Sequence, residues 1–172
     1  MAVTIRDATA EDAREIAEVH VASWRWAYRG QLPDEVLNDL SIDEREAMWT
    51  AWFRGSETRA AVLVAQDEGG RVVGFANAGA SRDQDAAPGT GELRAIYLVR
   101  DVQGTGVGRR LLDASLDRLR SADFDRVTLW VLATNDLGRR FYEKTGWRWD
   151  GTTSAHRFEC ANRPILRYAR DL

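Results

Sequence analysis

The chain has 172 residues, of which 44% are hydrophobic and 30% are charged, and its formal net charge is −3. This length fits one domain with a substantial core, which we expect to span residues 1–172, and the interspersed acidic and basic residues give no indication of a nucleic-acid partner. The charged N-terminal sequence lacks the apolar segment of a secretory signal and no run is long enough to span a membrane, so we expect a cytoplasmic protein without a membrane partner.

Disulfide and metal chemistry have little support in the composition. Cys160 is the only cysteine, so an internal disulfide cannot form. The two histidines, His20 and His156, are far apart and have no neighbouring ligand pair. We therefore expect no bound metal.

The hydrophobic pattern predicts strands and helices in an order that indicates the fold class. A capping-box-like Thr9-x-x-Asp12 begins the first helix. Further helices are predicted at Asp34–Leu40, Ile42–Phe53, Gly106–Arg120 and Asn135–Trp147. Strands are predicted at Val3–Arg6, Ala61–Gln66, Arg71–Ala80, from Glu92 onward, Val127–Val131, Trp147–Gly151 and Pro164–Ala169. Residues 67–70 form a hairpin turn and Ser81–Gly91 a polar loop. This order predicts an α/β (α+β) fold with a mixed, mostly antiparallel sheet of about seven strands and helices on both faces.

The segment Glu92–Leu112, ELRAIYLVRDVQGTGVGRRLL, combines a strand, a glycine-rich turn and the start of a helix. Backbone N–H groups at a helix N-terminus favour an anion. A dinucleotide fingerprint is excluded because Arg109 stands where its third glycine belongs, and a nucleotide-triphosphate loop because the only lysine is Lys144. A glycine-rich turn without a ligand remains the alternative.

A second segment, Asn135–Trp147 or NDLGRRFYEKTGW, follows a strand. Asn135 is a suitable N-cap, and Gly146 a suitable end for the helix. Asn135 and Tyr142 are seven residues apart, so both face one cleft, while Leu137, Phe141 and Trp147 are expected to pack.

Together these segments resemble the GNAT family of N-acetyltransferases. The first contains Q-x-x-G-x-G at Gln103, Gly106 and Gly108, and the second N-x-x-(small)-x-x-F-Y-x-x-x-G-(aromatic). Arg100 replaces a common proline, and Gly138 replaces the usual alanine and leaves room beside the cofactor. The resemblance covers essentially the whole chain and implies the GNAT fold.

The resemblance also implies a site for acetyl-coenzyme A. It places the pyrophosphate on backbone amides from Gln103 to Arg109, the pantetheine arm along Ile96 and Leu98, and the thioester carbonyl on the Ile96 N–H. Tyr142 is implied as the acid for the departing thiolate and Glu92 as the base. The implied cofactor-binding residues are Ile96, Leu98, Gln103, Gly104, Thr105, Gly106, Val107, Gly108, Arg109, Asn135 and Tyr142.

The acid–base assignment of Glu92 has alternatives. Strand alternation places Glu92, Arg94, Ile96 and Leu98 on one face. Arg94 then either pairs with Glu92 or binds an acidic group of the acceptor, and a purely structural Glu92 is the competing interpretation.

The implied reaction is direct acetyl transfer to a primary amine of a small molecule or a peptide N-terminus. Asp83 and Asp85 either attract its ammonium group or belong to a solvated loop, and most aromatic rings of the first helical region are expected to be core. A non-catalytic coenzyme A-binding sensor is the competing function, a nucleotide-binding α/β domain is disfavoured, and a homodimer is left open.

Overall fold

The computed structural model describes residues 2–55, 57–158 and 161–172. Cys160 lies outside these ranges. The strands are β1 (Val3–Asp7), β2 (Ala61–Asp67), β3 (Val72–Ala80), β4 (Thr90–Leu98), β5 (Arg126–Leu132), β6 (Arg148–Phe158) and β7 (Ala161–Asp171). The α-helices are α1 (Ala13–Ala27), α2 (Asp34–Asn38), α3 (Ile42–Arg54), α4 (Val107–Ser121) and α5 (Asp136–Lys144).

The seven strands form one sheet in the order β1-β2-β3-β4-β5-β7-β6. Strands β4 and β5 are parallel, and the other neighbouring pairs are antiparallel. The predicted mixed, mostly antiparallel sheet is therefore confirmed.

Helices cover both faces of this sheet, as predicted. On one face, α1 and α3 contribute Ile16 and Trp49 to a core that includes Phe75 of β3. On the other face, Leu111 and Leu116 of α4 pack in a second core, against which Phe141 and Tyr142 of α5 also lie. The sheet is thus the middle layer of three.

Strands β4 and β5 are hydrogen-bonded to each other only at one end. Their parallel register runs from Thr90 opposite Arg126 to Glu92 opposite Thr128, and both strands then continue without pairing to each other. Just beyond this point, Asn77 lies opposite Ala95 whereas Ala78 lies opposite Leu93, so Arg94 is an extra residue on β4. Such a bulge bends a strand and increases its twist. The two strands therefore part and leave an opening in the middle of the sheet.

The helix starts, helix ends and hairpin predicted from sequence correspond closely to the structure. The capping box of Thr9 and Asp12 is present, and Gly146, just past α5, has φ 90°. Strands β6 and β7 are longer than predicted, since they pair as far as Phe158 and Ala161. The prediction stopped short because the sequence there lacks the apolar–polar alternation of a half-buried strand.

The described residues contain neither a membrane-spanning helix nor a cluster of metal-binding side chains. No helix within them has the length and apolar character needed to cross a membrane. They also contain no group of three or more histidine, cysteine, aspartate or glutamate side chains suited to a metal ion.

Candidate active site

The opening between β4 and β5 is a cavity of about 1050 Å³. Residues of β4 and β5 form its walls, the start of α4 and one side of α5 close one end, and Trp24 and Tyr28 near the end of α1 line the other part. The two sequence segments that predicted a site therefore meet at one cavity.

The glycine-rich turn presents a run of unused backbone donors to this cavity. Within the described residues, the backbone N–H groups from Gly104 to Arg109 donate to no backbone acceptor, as expected for the first turn of a helix. Gly104, Gly106 and Gly108 line the cavity, and the first turn of α4 contains no acidic residue. Unpaired donors and the positive end of the helix dipole make this turn suitable for an anion.

The local structure explains why glycine occupies each of these positions in the turn. Gly104 and Gly106 have φ values of 76° and 88°, which side-chain-bearing residues rarely adopt. Gly108 instead allows close packing, because a Cβ atom there would lie 2.9 Å from Cδ1 of Leu98. A larger residue at position 108 would therefore displace the wall formed by β4.

The other residues of the turn support its shape. Thr105 Oγ1 donates to the Val102 carbonyl at 2.6 Å, and the Val107 side chain is buried. Arg109 is exposed and ion-paired with Asp113.

The backbone N–H of Gln103 differs from the predicted pyrophosphate site. Its backbone N–H donates to the Arg100 carbonyl at 3.1 Å, so the run of unused amides begins at Gly104. Its side-chain amide faces the Leu98 carbonyl at 3.4 Å. The Gln103 side chain thus joins the turn to β4.

The backbone of β4 faces the cavity at Ile96 and Leu98. Val99 donates its N–H to Val73 of β3, whereas the Leu98 carbonyl accepts from Ser23 Oγ at 2.9 Å and points away from β3. Because backbone groups alternate along a strand, the N–H of Ile96 also points away from β3, where β5 has already separated. A strand-like ligand finds open backbone groups here.

The second segment behaves as a capped helix. Asn135 Oδ1 accepts from the Gly138 N–H at 3.0 Å, and both residues line the cavity. The predicted free space at Gly138 is wrong, because a Cβ there would lie 2.8 Å from the Asn135 Nδ2 atom. The predicted packing of Leu137 is also wrong, since its side chain is 60% exposed.

Tyr142 of α5 lies at the cavity wall, half-buried against its neighbours. Its ring centroid lies 5.4 Å from that of Phe141 and 6.0 Å from that of Trp147. Burial raises the pKa of the Tyr142 hydroxyl, and Tyr97 raises it further. Tyr142 therefore keeps its proton at neutral pH.

Glu92 has a different orientation and a different partner from those expected. Because Arg94 is the bulge residue, Glu92 does not share a face with Ile96 and Leu98. Its side chain is only 7% exposed, and Arg82 donates to both carboxylate oxygens at 3.1 Å. The Arg82 backbone N–H adds a third bond to Oε2.

Arg94 pairs with Glu57, so the alternative in which Arg94 pairs with Glu92 is wrong. Arg94 Nη1 donates to Glu57 Oε2 at 2.8 Å, and Nη2 donates to the Ala80 carbonyl at 2.9 Å. Gly79 makes this possible, because a Cβ at that position would lie 2.9 Å from Arg94 Nη2. The carboxylate that holds Arg94 comes from the segment after α3, which the local pattern around Glu92 does not reveal.

The two aspartates of the 81–89 loop are also engaged. Asp83 and Asp85 both pair with Arg167 of β7, at 3.2 and 2.7 Å. Asp83 additionally accepts from the Trp130 indole N–H at 2.9 Å. The Asp85 side chain is 64% exposed, as expected for a solvated loop, but both carboxylates are ion-paired, so they do not form a free cation site.

Several cavity residues were not found from sequence. Arg82, Tyr97 and Trp130 line the cavity. Tyr97 lies between Ile96 and Leu98 in β4, so strand alternation directs it to the opposite face and the sequence does not indicate that it lines the cavity. Among the aromatic residues of the first helical region, Trp49 and Tyr28 are core residues, as expected, but Trp24 and Tyr28 also line the cavity.

Comparison with known proteins identifies the fold and its family. The model of the acetyltransferase (GNAT) family matches residues 14–147. The chain belongs to this family of acyltransferases. YuaI of Bacillus subtilis, an uncharacterised N-acetyltransferase, is 41% identical over 133 residues, which is 77% of this chain and 73% of that protein.

Solved structures show the same fold at low identity. The PaiA N-acetyltransferase of Thermoplasma acidophilum, in complex with coenzyme A, has a TM-score of 0.78 at 20% identity and covers 100% of both chains. YncA of Salmonella typhimurium, with its cofactor acetyl-coenzyme A, has a TM-score of 0.73 at 22% identity over 100% of this chain and 95% of that chain.

The glycine turn can be tested through ligand-dependent stability. We expect acetyl-coenzyme A at about 100 times its Kd to raise the free energy of unfolding by roughly 2.7 kcal/mol. Gly106→Asp removes this increase, because a side chain at φ 88° distorts the turn and its charge repels phosphate. Thermal unfolding with and without acetyl-coenzyme A provides the measurement.

Gly70→Asp is the matched control, because Gly70 has φ 86° and lies in the β2–β3 hairpin away from the cavity. It should lower the intrinsic stability similarly while retaining the ligand-dependent increase. Stabilisation by NAD or ATP but not by acetyl-coenzyme A would contradict the assignment.

Proposed function

We propose that this protein transfers the acetyl group of acetyl-coenzyme A directly to a primary amine, either of a small molecule or of a peptide N-terminus. The observation that carries the proposal is the run of unused N–H groups from Gly104 to Arg109. It lies beside the open backbone of Ile96 and Leu98 on the same cavity. An anionic head and an extended arm fit these two surfaces.

Individual residues have distinct roles in this proposal. The amides from Gly104 to Arg109 bind the pyrophosphate, and Ile96 and Leu98 bind the extended arm through their backbone N–H groups. The Leu98 carbonyl already accepts from Ser23 and Gln103, so its contribution is the N–H. Asn135 holds the start of α5 and thereby positions Tyr142.

The bound cosubstrate supplies an acetyl thioester, whose carbonyl the Ile96 N–H polarises by donating a hydrogen bond. The Tyr142 hydroxyl donates its proton to the departing sulfur. Leu132 and Ile165 line the same cavity and give it apolar walls.

Glu92 is a less suitable general base than the sequence indicated. A base needs a free lone pair directed at the amine, whereas Arg82 donates three hydrogen bonds to this carboxylate. We propose that the Glu92–Arg82 pair fixes the loop after β3 against β4. The acceptor then meets a rigid wall at this point.

Tyr142→Phe tests the proton donor. Turnover should fall by roughly 10²-fold, because loss of a general acid has about this effect. The affinity for acetyl-coenzyme A should change little, since the ring remains. The measurement is thiol release with 2-phenylethylamine, putrescine and an alanine-initiated peptide as acceptors, alongside the Kd of the cosubstrate.

Tyr168→Phe serves as the control, because the Tyr168 hydroxyl donates to Glu143 and lies outside the cavity lining. Unchanged turnover in Tyr142→Phe would refute the proposed acid. Tight acetyl-coenzyme A binding without acetylation of any amine would favour the non-catalytic sensor.

Glu92→Gln separates a base from a structural carboxylate. With the Arg82 pair broken, we expect kcat/KM to fall by the same factor at every pH and the free energy of unfolding to fall by about 1–3 kcal/mol. The comparison is a pH–rate profile and a denaturant titration of both proteins.

Asp85→Asn is the control, since Asp85 is an exposed carboxylate paired with Arg167. A loss of kcat/KM that is large at low pH and disappears at high pH would restore Glu92 as the base.

A further inference from the structure

The cavity is accessible to residues from both faces of the sheet. Helix α4, whose first turn supplies the amides from Gly104 to Arg109, packs on one face, and α1 packs on the other. Since β4 and β5 have parted, the cavity is lined both by the start of α4 and by residues near the end of α1. With the anion-binding amides at the α4 end, the part of the cavity beside α1 is left for the acceptor.

This part of the cavity is bounded by an apolar wall, formed by Trp24, Ala27, Tyr28, Leu132 and Ile165. Tyr28 and Leu132 belong to one buried cluster, the other three residues pack against it, and all five line the cavity. Leu132 lies opposite Ile165 in the β5–β7 pair. The rings of Trp24 and Tyr28 meet edge to face, with centroids 5.1 Å apart. Such a surface favours an apolar group, and an aromatic ring in particular.

The charged side chains of the cavity are engaged with one another or with neighbours. Among the described residues that line it, the charged ones are Arg82, Asp83, Glu92, Arg94, Arg109 and Lys144. Five of these six are in ion pairs, namely Arg82 with Glu92, Asp83 with Arg167, Arg94 with Glu57 and Arg109 with Asp113. Lys144 belongs to α5, which closes the cavity together with the start of α4.

A second charge on the acceptor would have to displace one of these partners. An additional ammonium group would compete with Arg82 for Glu92, and a carboxylate would compete with Glu57 for Arg94. The Glu92 and Arg94 side chains are only 7% and 8% exposed. Breaking either pair therefore leaves a charge in a largely buried position, which is costly. An apolar group meets no such cost and gains from its removal from water.

We propose that the acceptor is a small primary monoamine whose remaining part is uncharged and apolar, best an aromatic ring on a short alkyl chain. This inference rests on the acetyl transfer proposed above and narrows its acceptor. The apolar wall binds the ring, and the amine lies towards Ile96 of β4. Amino acids and polyamines are poor acceptors, because each carries a charge that the cavity does not match.

Three pairs of amines test this substrate class with the wild-type protein and saturating acetyl-coenzyme A. 2-Phenylethylamine adds a ring to ethylamine, phenylalanine adds a carboxylate to 2-phenylethylamine, and putrescine adds a second ammonium group to butylamine. We expect kcat/KM, measured by thiol release, to rise at least about 10-fold with the ring. It should fall about 10-fold or more with either added charge.

Ile165→Asp tests whether the apolar wall selects the acceptor. Ile165 is half-buried and lies opposite Leu132 and Ser154 in the neighbouring strands. Ile165→Asn is the matched control, because it has the same size and polarity without the charge. Both variants should lower kcat/KM for 2-phenylethylamine about 10-fold. Only Ile165→Asp should raise the putrescine-to-butylamine ratio, by about 10-fold, because its carboxylate pairs with the second ammonium group.

Ala27→Asp and Ala27→Asn repeat this comparison from α1, should a variant at position 165 fail to fold. Thermal unfolding and the Kd of acetyl-coenzyme A show that each variant keeps its fold and its cosubstrate site. Both quantities should stay near their wild-type values, since the apolar wall lies apart from the amides of the glycine-rich turn.

The outcomes distinguish this inference from the proposed function. Equal kcat/KM for ethylamine and 2-phenylethylamine, or preference for phenylalanine or putrescine over the matched monoamine, overturns the apolar acceptor and leaves acetyl transfer intact. An unchanged putrescine-to-butylamine ratio in both aspartate variants overturns the role of the apolar wall. A wild-type protein that binds acetyl-coenzyme A but acetylates none of the amines or the alanine-initiated peptide overturns the proposed function as well.

Discussion

The separation of β4 from β5 is the feature on which the rest of the site depends. The two strands pair through Glu92 and Thr128, and the bulge at Arg94 follows at once. Beyond it, the N–H groups of Ile96 and Leu98 have no neighbouring strand. Since buried backbone donors are costly when unpaired, an extended ligand that supplies acceptors stabilises this opening.

The same departure from regular pairing positions the glycine-rich turn and two tyrosine side chains. Strand β4 leads through a short connection into α4, so the amides from Gly104 to Arg109 lie at one end of the opening. The parted strands also expose residues from both faces of the sheet. Tyr97 and Tyr142 can then share a cavity although they belong to opposite layers.

Ion pairs join the 81–89 loop to the strands that border the cavity. Arg82 binds Glu92, Arg94 binds Glu57, and Arg167 binds Asp83, Asp85 and Asp150. These pairs tie the 81–89 loop, β4, β6 and β7 to one another with directional guanidinium bonds. They also engage Glu92 and Asp83, the two carboxylates among the described residues that line the cavity.

The features that were predicted correctly depend on the local conformation of single residues. Gly104 and Gly106 need positive φ and Asn135 caps a helix, so these features are visible in the residues themselves. The bulge is one extra residue of β4, Arg94, in its pairing with β3. The sequence near Arg94 contains no feature that predicts it. The partners of Glu92 and Arg94 come from other segments, so they could be found only once those segments were placed.

Leu137 and Tyr97 illustrate the same limit. Helical spacing placed Leu137 with Phe141, but its side chain is exposed, because α5 packs only through part of its apolar face. Tyr97 alternates with Ile96 and Leu98, so strand alternation directs its side chain to the opposite face. It reaches the cavity because the sheet is open there.

Amide hydrogen exchange followed by NMR, with and without coenzyme A, tests most directly whether the opening between β4 and β5 binds coenzyme A. We expect slower exchange at the amides from Gly104 to Arg109 and at Ile96 and Leu98, with no change in the β1–β2 pair at the sheet edge. Unchanged exchange at both the turn and β4 under saturating coenzyme A, or protection confined to another surface, would contradict it.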